Sequence, residues 1–193
     1  YDHVAQGARQ VGSTFKPFVY ATAIEQLGMS PCDSIYDSQF TMPKGRYGIS
    51  ADWTPKNSAG KYYGLVTLKY ALAQSLNTVT AKLMDRVGPK AVIDLTRELG
   101  VKSDIPASPA IALGAVEITV SDMVAAYSTF ANQGVYVKPR FISKMTDKNG
   151  VILYESQPET KDVMSKDISY AIIKLLEGVT EGGSGGRLRY TGS

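Results

Sequence analysis

The sequence predicts an α+β fold that is mainly helical. Several segments place apolar residues at helical spacing and are bounded by Pro, Ser or Gly. One turn pair, Asn149-Gly150, joins two short strand-like runs. No succession of strand-like runs supplies a central sheet. The length of 193 residues suits one domain or part of a larger one.

Residues 14–26 form the first expected helix. Phe15, Phe18, Val19, Thr22 and Ile24 give it bulk, and Gly28 is its stop. Pro17 is tolerated only near a first turn, which puts Ser13 at or just before the helix N-terminus. Residues 29–64 form a long loop rich in Pro, Gly, Ser, Asp and Tyr. Loops of that length are often functional. Residues 65–72 and 76–87 are expected to be helical, with Ser75-Leu76-Asn77 at their junction. Pro89 opens a further helix that Gly100 closes. Residues 106–114 are irregular. Ser121 is the expected N-cap of a helix over 121–132, with Gly134 as its stop. Residues 135–144 and 151–155 form the expected hairpin, spanning 135–155. The last helix covers 165–178, with Ile168, Ala171, Ile172, Leu175 and Leu176 on its apolar side. Residues 181–193 follow as a flexible glycine-rich tail, whose glycines serve as a connector or as an anion-binding nest.

Composition excludes several function classes. The net charge is +3 and the basic residues are scattered, so no basic stripe marks a nucleic-acid surface. No apolar run is long enough to span a membrane, and no signal peptide is present. The chain begins at Tyr1 without a methionine, which suggests an excised piece or a trimmed product. His3 is the only histidine, so a Ser-His-Asp triad would rest on that one residue. Cys32 is the only cysteine, so neither an internal disulfide nor a Cys/His metal site can form. Cys32 lies in Ser30-Pro31-Cys32-Asp33 and lacks a partner base, which favours a structural loop role.

The chemistry concentrates in Arg9-Gln10-Val11-Gly12-Ser13-Thr14-Phe15-Lys16-Pro17. Positions i and i+3 share a helix face, so Lys16 Nζ is expected to reach Ser13 Oγ. A serine hydroxyl needs a neighbouring base, and a lysine of lowered pKa can be that base. The helix N-terminus favours negative charge near Ser13. Alone, the pair could equally cap and solvate an ordinary helix.

Further segments make the pattern specific. They are Trp53-Thr54-Pro55-Lys56-Asn57, Leu72-Ala73-Gln74-Ser75-Leu76-Asn77, Ala112-Leu113-Gly114-Ala115-Val116-Glu117-Ile118-Thr119 and Ala126-Tyr127-Ser128-Thr129-Phe130-Ala131-Asn132-Gln133-Gly134. Together with the Ser-x-x-Lys run, this ordered set resembles the transpeptidase domain of class A (bifunctional) penicillin-binding proteins over nearly the whole chain. Ser13 and Lys16 match the family's first motif, and Ser75 and Asn77 match its Ser-x-Asn motif. The third motif, Lys-Thr-Gly, does not occur, and the chain ends at Thr191-Gly192-Ser193. The resemblance places a glycosyltransferase domain and a membrane anchor upstream in the parent protein, outside this stretch of sequence.

The resemblance implies a partial transpeptidase domain over 1–193, within the penicillin-binding/β-lactamase-like fold and without most of its central antiparallel sheet. It implies cell-wall cross-linking outside the cytoplasmic membrane. Ser13 would be acylated by D-Ala-D-Ala stem peptides of peptidoglycan and by β-lactams, with no cofactor. Lys16 would be the base, Ser75 a proton relay, and Asn77 a holder of substrate and of Lys16. Trp53 and Asn57 either line the substrate groove or anchor the long loop. Ser75 and Asn77 alone could also be a helix cap. Without a third motif the chain by itself is expected to be weak or inactive, and uncovered helix faces would favour a homodimer. Two other functions remain open: a serine β-lactamase-like hydrolase, and a non-catalytic peptide-binding or scaffold module.

Overall fold

The computed structural model describes residues 2–189. The predicted α+β, mainly helical class holds. Among the described residues, six α-helices are accompanied by eight short strands, and the sheets are two-stranded and antiparallel. No larger sheet forms among the described residues.

The core is arranged around helix α1 (Lys16–Leu27). Residues Lys16 to Ile24 are buried in one unbroken run. A helix buried on all sides belongs at the centre of a fold, and α1 packs against α3 (Asn77–Val87), α4 (Pro89–Glu98) and α6 (Lys166–Glu181). A 3-10 turn, Gly12–Phe15, leads into α1, and Gly28 ends it at φ 63. The Phe18 ring lies 5.1 Å from that of Phe15, 5.8 Å from Tyr127 and 6.0 Å from Phe130. The latter two come from α5 (Val120–Ala131), so the aromatic cluster ties α5 to α1.

Several elements differ from expectation for identifiable reasons. The long loop contains strand β2 (Ser34–Asp37), which pairs with β3 (Gly64–Thr67). Residues 65–72 are therefore not one helix. Val66 turns inward from β3, and helix α2 (Leu68–Ala73) starts only where the Thr67 side chain accepts a hydrogen bond from Tyr70 N. A bridge between Met42 and Trp53 further closes the loop. Residues 106–114 contain a 3-10 turn, Pro109–Leu113. The cap of α5 is Thr119 rather than Ser121, with the Thr119 hydroxyl accepting from Asp122 N.

The expected 135–155 hairpin is divided. Asp147 to Gly150 form the predicted turn, between β6 (Lys144–Thr146) and β7 (Ile152–Glu155). However, β5 (Val135–Val137) pairs with β8 (Thr160–Asp162). Pro139 has no N–H to continue a ladder and follows the end of β5.

Helix α6 runs past Gly178 to Glu181, where Lys69 forms an ion pair with Glu181 at 2.9 Å. The glycine-rich segment beyond it is not a free tail over 182–189. Ser184 N donates to Ala73 O at 2.9 Å, and Gln74 Nε2 donates to Gly182 O at 2.9 Å. A Cβ on Gly183 would lie 2.3 Å from Ala73 O, so a bare residue permits this docking. A 3-10 turn, Gly186–Arg189, follows. Residues 190–193, including the terminal Thr-Gly-Ser, lie outside the described residues.

Strand β1 (Arg9–Gln10) pairs with β4 (Glu117–Ile118) and delivers the chain to the 3-10 turn that carries Ser13. Because Phe18 is 0% exposed in the aromatic cluster, Phe18→Ala is expected to lower stability by about 3–5 kcal/mol. Urea unfolding followed by circular dichroism measures it; a loss below about 1 kcal/mol would contradict this packing.

Candidate active site

Ser13 is held by backbone on one side and left open on the other. Val11 N donates to Val116 O at 3.1 Å and Gly12 N donates to Gly114 O at 3.2 Å. Gly114 has φ 77, and a Cβ there would lie 1.9 Å from Gly12 O. Only glycine permits this approach. Ser13 itself is exposed. Its N–H donates no hydrogen bond among the described residues, so it remains available at the start of the turn, where developing negative charge is favoured.

Lys16 opens α1 and is only 1% exposed. Its Nζ donates to Ser75 O at 2.6 Å, to Ser75 Oγ at 2.8 Å and to Asn77 Oδ1 at 2.6 Å. These use all three ammonium donors. Burial disfavours the charged form and lowers the Lys16 pKa to about 8. Ser75 Oγ in turn donates to Ser13 Oγ at 3.0 Å. The sequence spacing suggested a direct Lys16–Ser13 contact. The structure instead connects them through Ser75, because all three donors of Lys16 are engaged by the residues that join α2 to α3.

Ser75 has φ 55, a left-handed conformation uncommon for a non-glycine residue. Ser75 N donates to Leu72 O and Leu76 N donates to Ala71 O, each at 2.9 Å, closing the end of α2. The turn thereby offers both the Ser75 carbonyl and the Ser75 hydroxyl to Lys16. Helix α3 then begins at Asn77 without a side-chain cap from Leu76. Asn57 supplies one from the long loop: its Oδ1 accepts from Asn77 N at 2.9 Å and Thr78 N at 3.3 Å.

Asn57 is 5% exposed, and its Nδ2 is held by the Asp37 carboxylate and by Lys61 O. Its amide therefore faces protein groups. Trp53 lines a different cavity of about 460 Å³, with Tyr47, Asp52 and Ser108. The cavity beside Ser13 is about 310 Å³ and includes Ser75, Tyr127, Leu176, Thr180 and Ser184 in its lining. Neither Trp53 nor Asn57 lines it. The structure thus gathers Ser13, Lys16, Ser75 and Asn77, and places Trp53 and Asn57 outside that cavity.

Sequence reasoning missed Asp37, Tyr127 and Ser184. Tyr127 OH donates to Thr14 O at 2.8 Å, and burial pushes its pKa up to about 12. The phenol thus stays protonated and helps hold the turn. The Ala126–Gly134 landmark contained Tyr127, but helical spacing marked it only as core. No local pattern marked Asp37 or Ser184. Among the described residues, no group of three or more His, Cys, Asp or Glu could hold a metal ion.

Gly114→Ala is expected to push Gly12 and Ser13 out of place. We expect a stability loss of about 2–4 kcal/mol from the backbone clash and positive φ, measured by thermal unfolding. A crystal structure of that variant with Ser13 Oγ still at hydrogen-bond distance from Ser75 Oγ would contradict the constraint.

The family model described as penicillin binding protein transpeptidase domain matches residues 1–191. Penicillin-binding protein 1A of Aquifex aeolicus is 37% identical over 187 residues, covering 97% of this chain and 25% of that protein. The same-named protein of Neisseria gonorrhoeae is 35% identical over 190 residues, covering 95% and 24% respectively. The chain thus spans about a quarter of the length of these curated relatives. Among solved structures, penicillin-binding protein 1A from Haemophilus influenzae superposes with a TM-score of 0.85 at 27% identity, over 96% of this chain and 32% of that one. PonA1 from Mycobacterium tuberculosis in complex with penicillin V gives a TM-score of 0.78 at 28% identity, over 93% and 50%. The sequence match runs through all four gathered residues, and the chain belongs to the penicillin-binding protein transpeptidase domain family.

Proposed function

We propose that this domain cross-links peptidoglycan outside the cytoplasm as a serine D,D-transpeptidase, with Ser13 as the nucleophile. The observation that carries the reading is the hydrogen-bonded series Lys16–Ser75–Ser13, built on a buried amine of lowered pKa. The substrate is a stem peptide ending in D-Ala-D-Ala, and β-lactams acylate the same hydroxyl. The glycosyltransferase domain and membrane anchor implied by the family belong to the same proposal.

The three acceptors around Lys16 give the base its direction. Ser75 O and Asn77 Oδ1 can only accept hydrogen bonds, whereas Ser75 Oγ can accept or donate. A neutral amine keeps two N–H groups on the first two and turns its lone pair to Ser75 Oγ. Ser75 then donates to Lys16 and accepts from Ser13. As Ser13 Oγ bonds to the carbonyl carbon, its proton passes to Ser75 and the Ser75 proton passes to Lys16. The Ser13 N–H faces the developing oxyanion. When the intermediate collapses, the C–N bond breaks and the terminal D-Ala leaves as its amine, taking the proton back through Ser75. An acceptor amine from a second stem then attacks the ester carbon; as the bond from that carbon to Ser13 Oγ breaks, the proton lost by the amine returns to Ser13 Oγ through Ser75. No cofactor enters these steps.

Two results test this. Incubation of the full-length protein with benzylpenicillin is expected to add one penicilloyl mass, mapped to Ser13 and lost in Ser13→Ala; an adduct that persists in that variant would sink the assignment. The active base is neutral Lys16, so the acylation rate should rise about tenfold per pH unit below pH 8 and level off above it. Stopped-flow measurement between pH 6 and 9 checks the sign (the range brackets a pKa of about 8), and a flat profile in a chemistry-limited reaction would exclude Lys16 as the base.

A further inference from the structure

We propose that Asp37, remote from the reacting atoms, is a positioning residue that fixes the Asn57 amide and, through it, the pairing of Asn77 with Lys16. This inference rests on the proposed acylation of Ser13.

Asp37 ends β2 and is 1% exposed. Among the described residues no lysine or arginine forms an ion pair with it. Its carboxylate is instead satisfied by donors: Asn57 Nδ2 at 3.0 Å from both oxygens, Tyr63 N at 2.8 Å, and the Thr78 hydroxyl. An ionised carboxylate only accepts. The nitrogen of the Asn57 amide must therefore face Asp37, and its oxygen must face the opposite way. That oxygen meets Asn77 N and Thr78 N, two N–H groups at the start of α3 that can only donate.

The same logic extends to Asn77. Its backbone is pinned by Asn57, and its Nδ2 donates to Lys56 O at 2.8 Å. Its Oδ1 is thereby left facing Lys16 Nζ. Asn57 thus fixes where Asn77 sits, and Lys56 O fixes which end of its amide meets the amine. Reversing the first would set a donor against Asn77 N and loosen the fixed acceptor of Lys16.

A reciprocal exchange separates this role from simple support of the fold. In Asp37→Asn, the new amide can still accept from Tyr63 N, yet it no longer forces the Asn57 orientation. In Asn57→Asp, two carboxylates face each other. In the double variant Asp37→Asn/Asn57→Asp, the carboxylate at 57 accepts from Asn77 and Thr78 on one side and from the new amide on the other, while the donor to Lys61 O is lost. Thr78→Val is the control for lost support: it removes a hydroxyl that donates to the Asp37 carboxylate and lies 3.2 Å from Asn57 Oδ1, while the Asp37–Asn57 contact and the two backbone N–H groups on Asn57 Oδ1 remain.

The full-length protein is to be tested by benzylpenicillin acylation across pH, by urea unfolding, and by NMR titration of the Lys16 side chain. Each single exchange is expected to slow acylation about 10- to 100-fold per folded molecule and to displace the Lys16 titration. The double variant should regain part of the rate and move the titration back toward wild type. Thr78→Val should lower stability alone. Unchanged titration and rate per folded molecule in the single variants would overturn the proposal, as would a folded double variant no better than either single. If the singles do not fold, the folded double decides by the same two readouts. A wild-type protein that takes up no penicillin would overturn the function, and the Lys16 titration would still judge the role of Asp37.

Discussion

An amine taken almost fully out of water must be offered acceptors or give up its charge. Lys16 is given both conditions in part: three acceptors and a pKa lowered to about 8. The requirement propagates outward. The acceptors come from Ser75 and Asn77, so α1 and the α2–α3 junction must keep a fixed relation. The Ser75 turn must keep its positive φ to present carbonyl and hydroxyl together. Helix α1 must remain central, because its burial is what desolvates the amine.

Support for this arrangement is polar without being ionic. The Asp37 carboxylate is met by an amide, a backbone N–H and a hydroxyl, while Lys16 is met by a carbonyl, a hydroxyl and an amide. Opposite charges buried in direct contact would hold each other and raise the lysine pKa. Placing two neutral amides between them fixes position without a counter-charge beside the amine, whose pKa stays at about 8. Directional groups of this kind specify one geometry when every member is satisfied.

Much of the frame was legible because its signals are local. The Gly28 stop, the Pro17 placement, the Asn149-Gly150 turn and the adjacency of Ser13 to a helix start follow from backbone rules that neighbouring residues express. The Ser-x-x-Lys and Ser-x-Asn runs marked the four gathered residues. What was illegible is long-range. Leu65 and Val66 pair with a strand some thirty residues earlier, as the register Ile35 to Val66 shows, so their apolar character could not separate strand from helix. Val135 joins Asp162 rather than the neighbouring hairpin arm. Gly183 docks on Ala73 across the chain, where composition indicated a flexible connector. Asn57 was flagged for its chemistry, but its direction depends on Asp37, which no motif marked.

The same distinction bears on the role proposed for the first motif. Ser13 and Lys16 are close in sequence, and a helical face would bring them together, yet a direct lysine bond to Ser13 would tie the nucleophile to an ammonium below pH 8. Routing the contact through Ser75 changes this. The hydroxyl can reverse its donor and acceptor roles when Lys16 loses its proton, whereas the flanking carbonyl and amide oxygen cannot. In the proposed acylation, proton loss at one buried nitrogen therefore sets the direction of the whole series toward Lys16. In the proposed mechanism the left-handed Ser75 turn matters because it presents the carbonyl and the hydroxyl to the same amine.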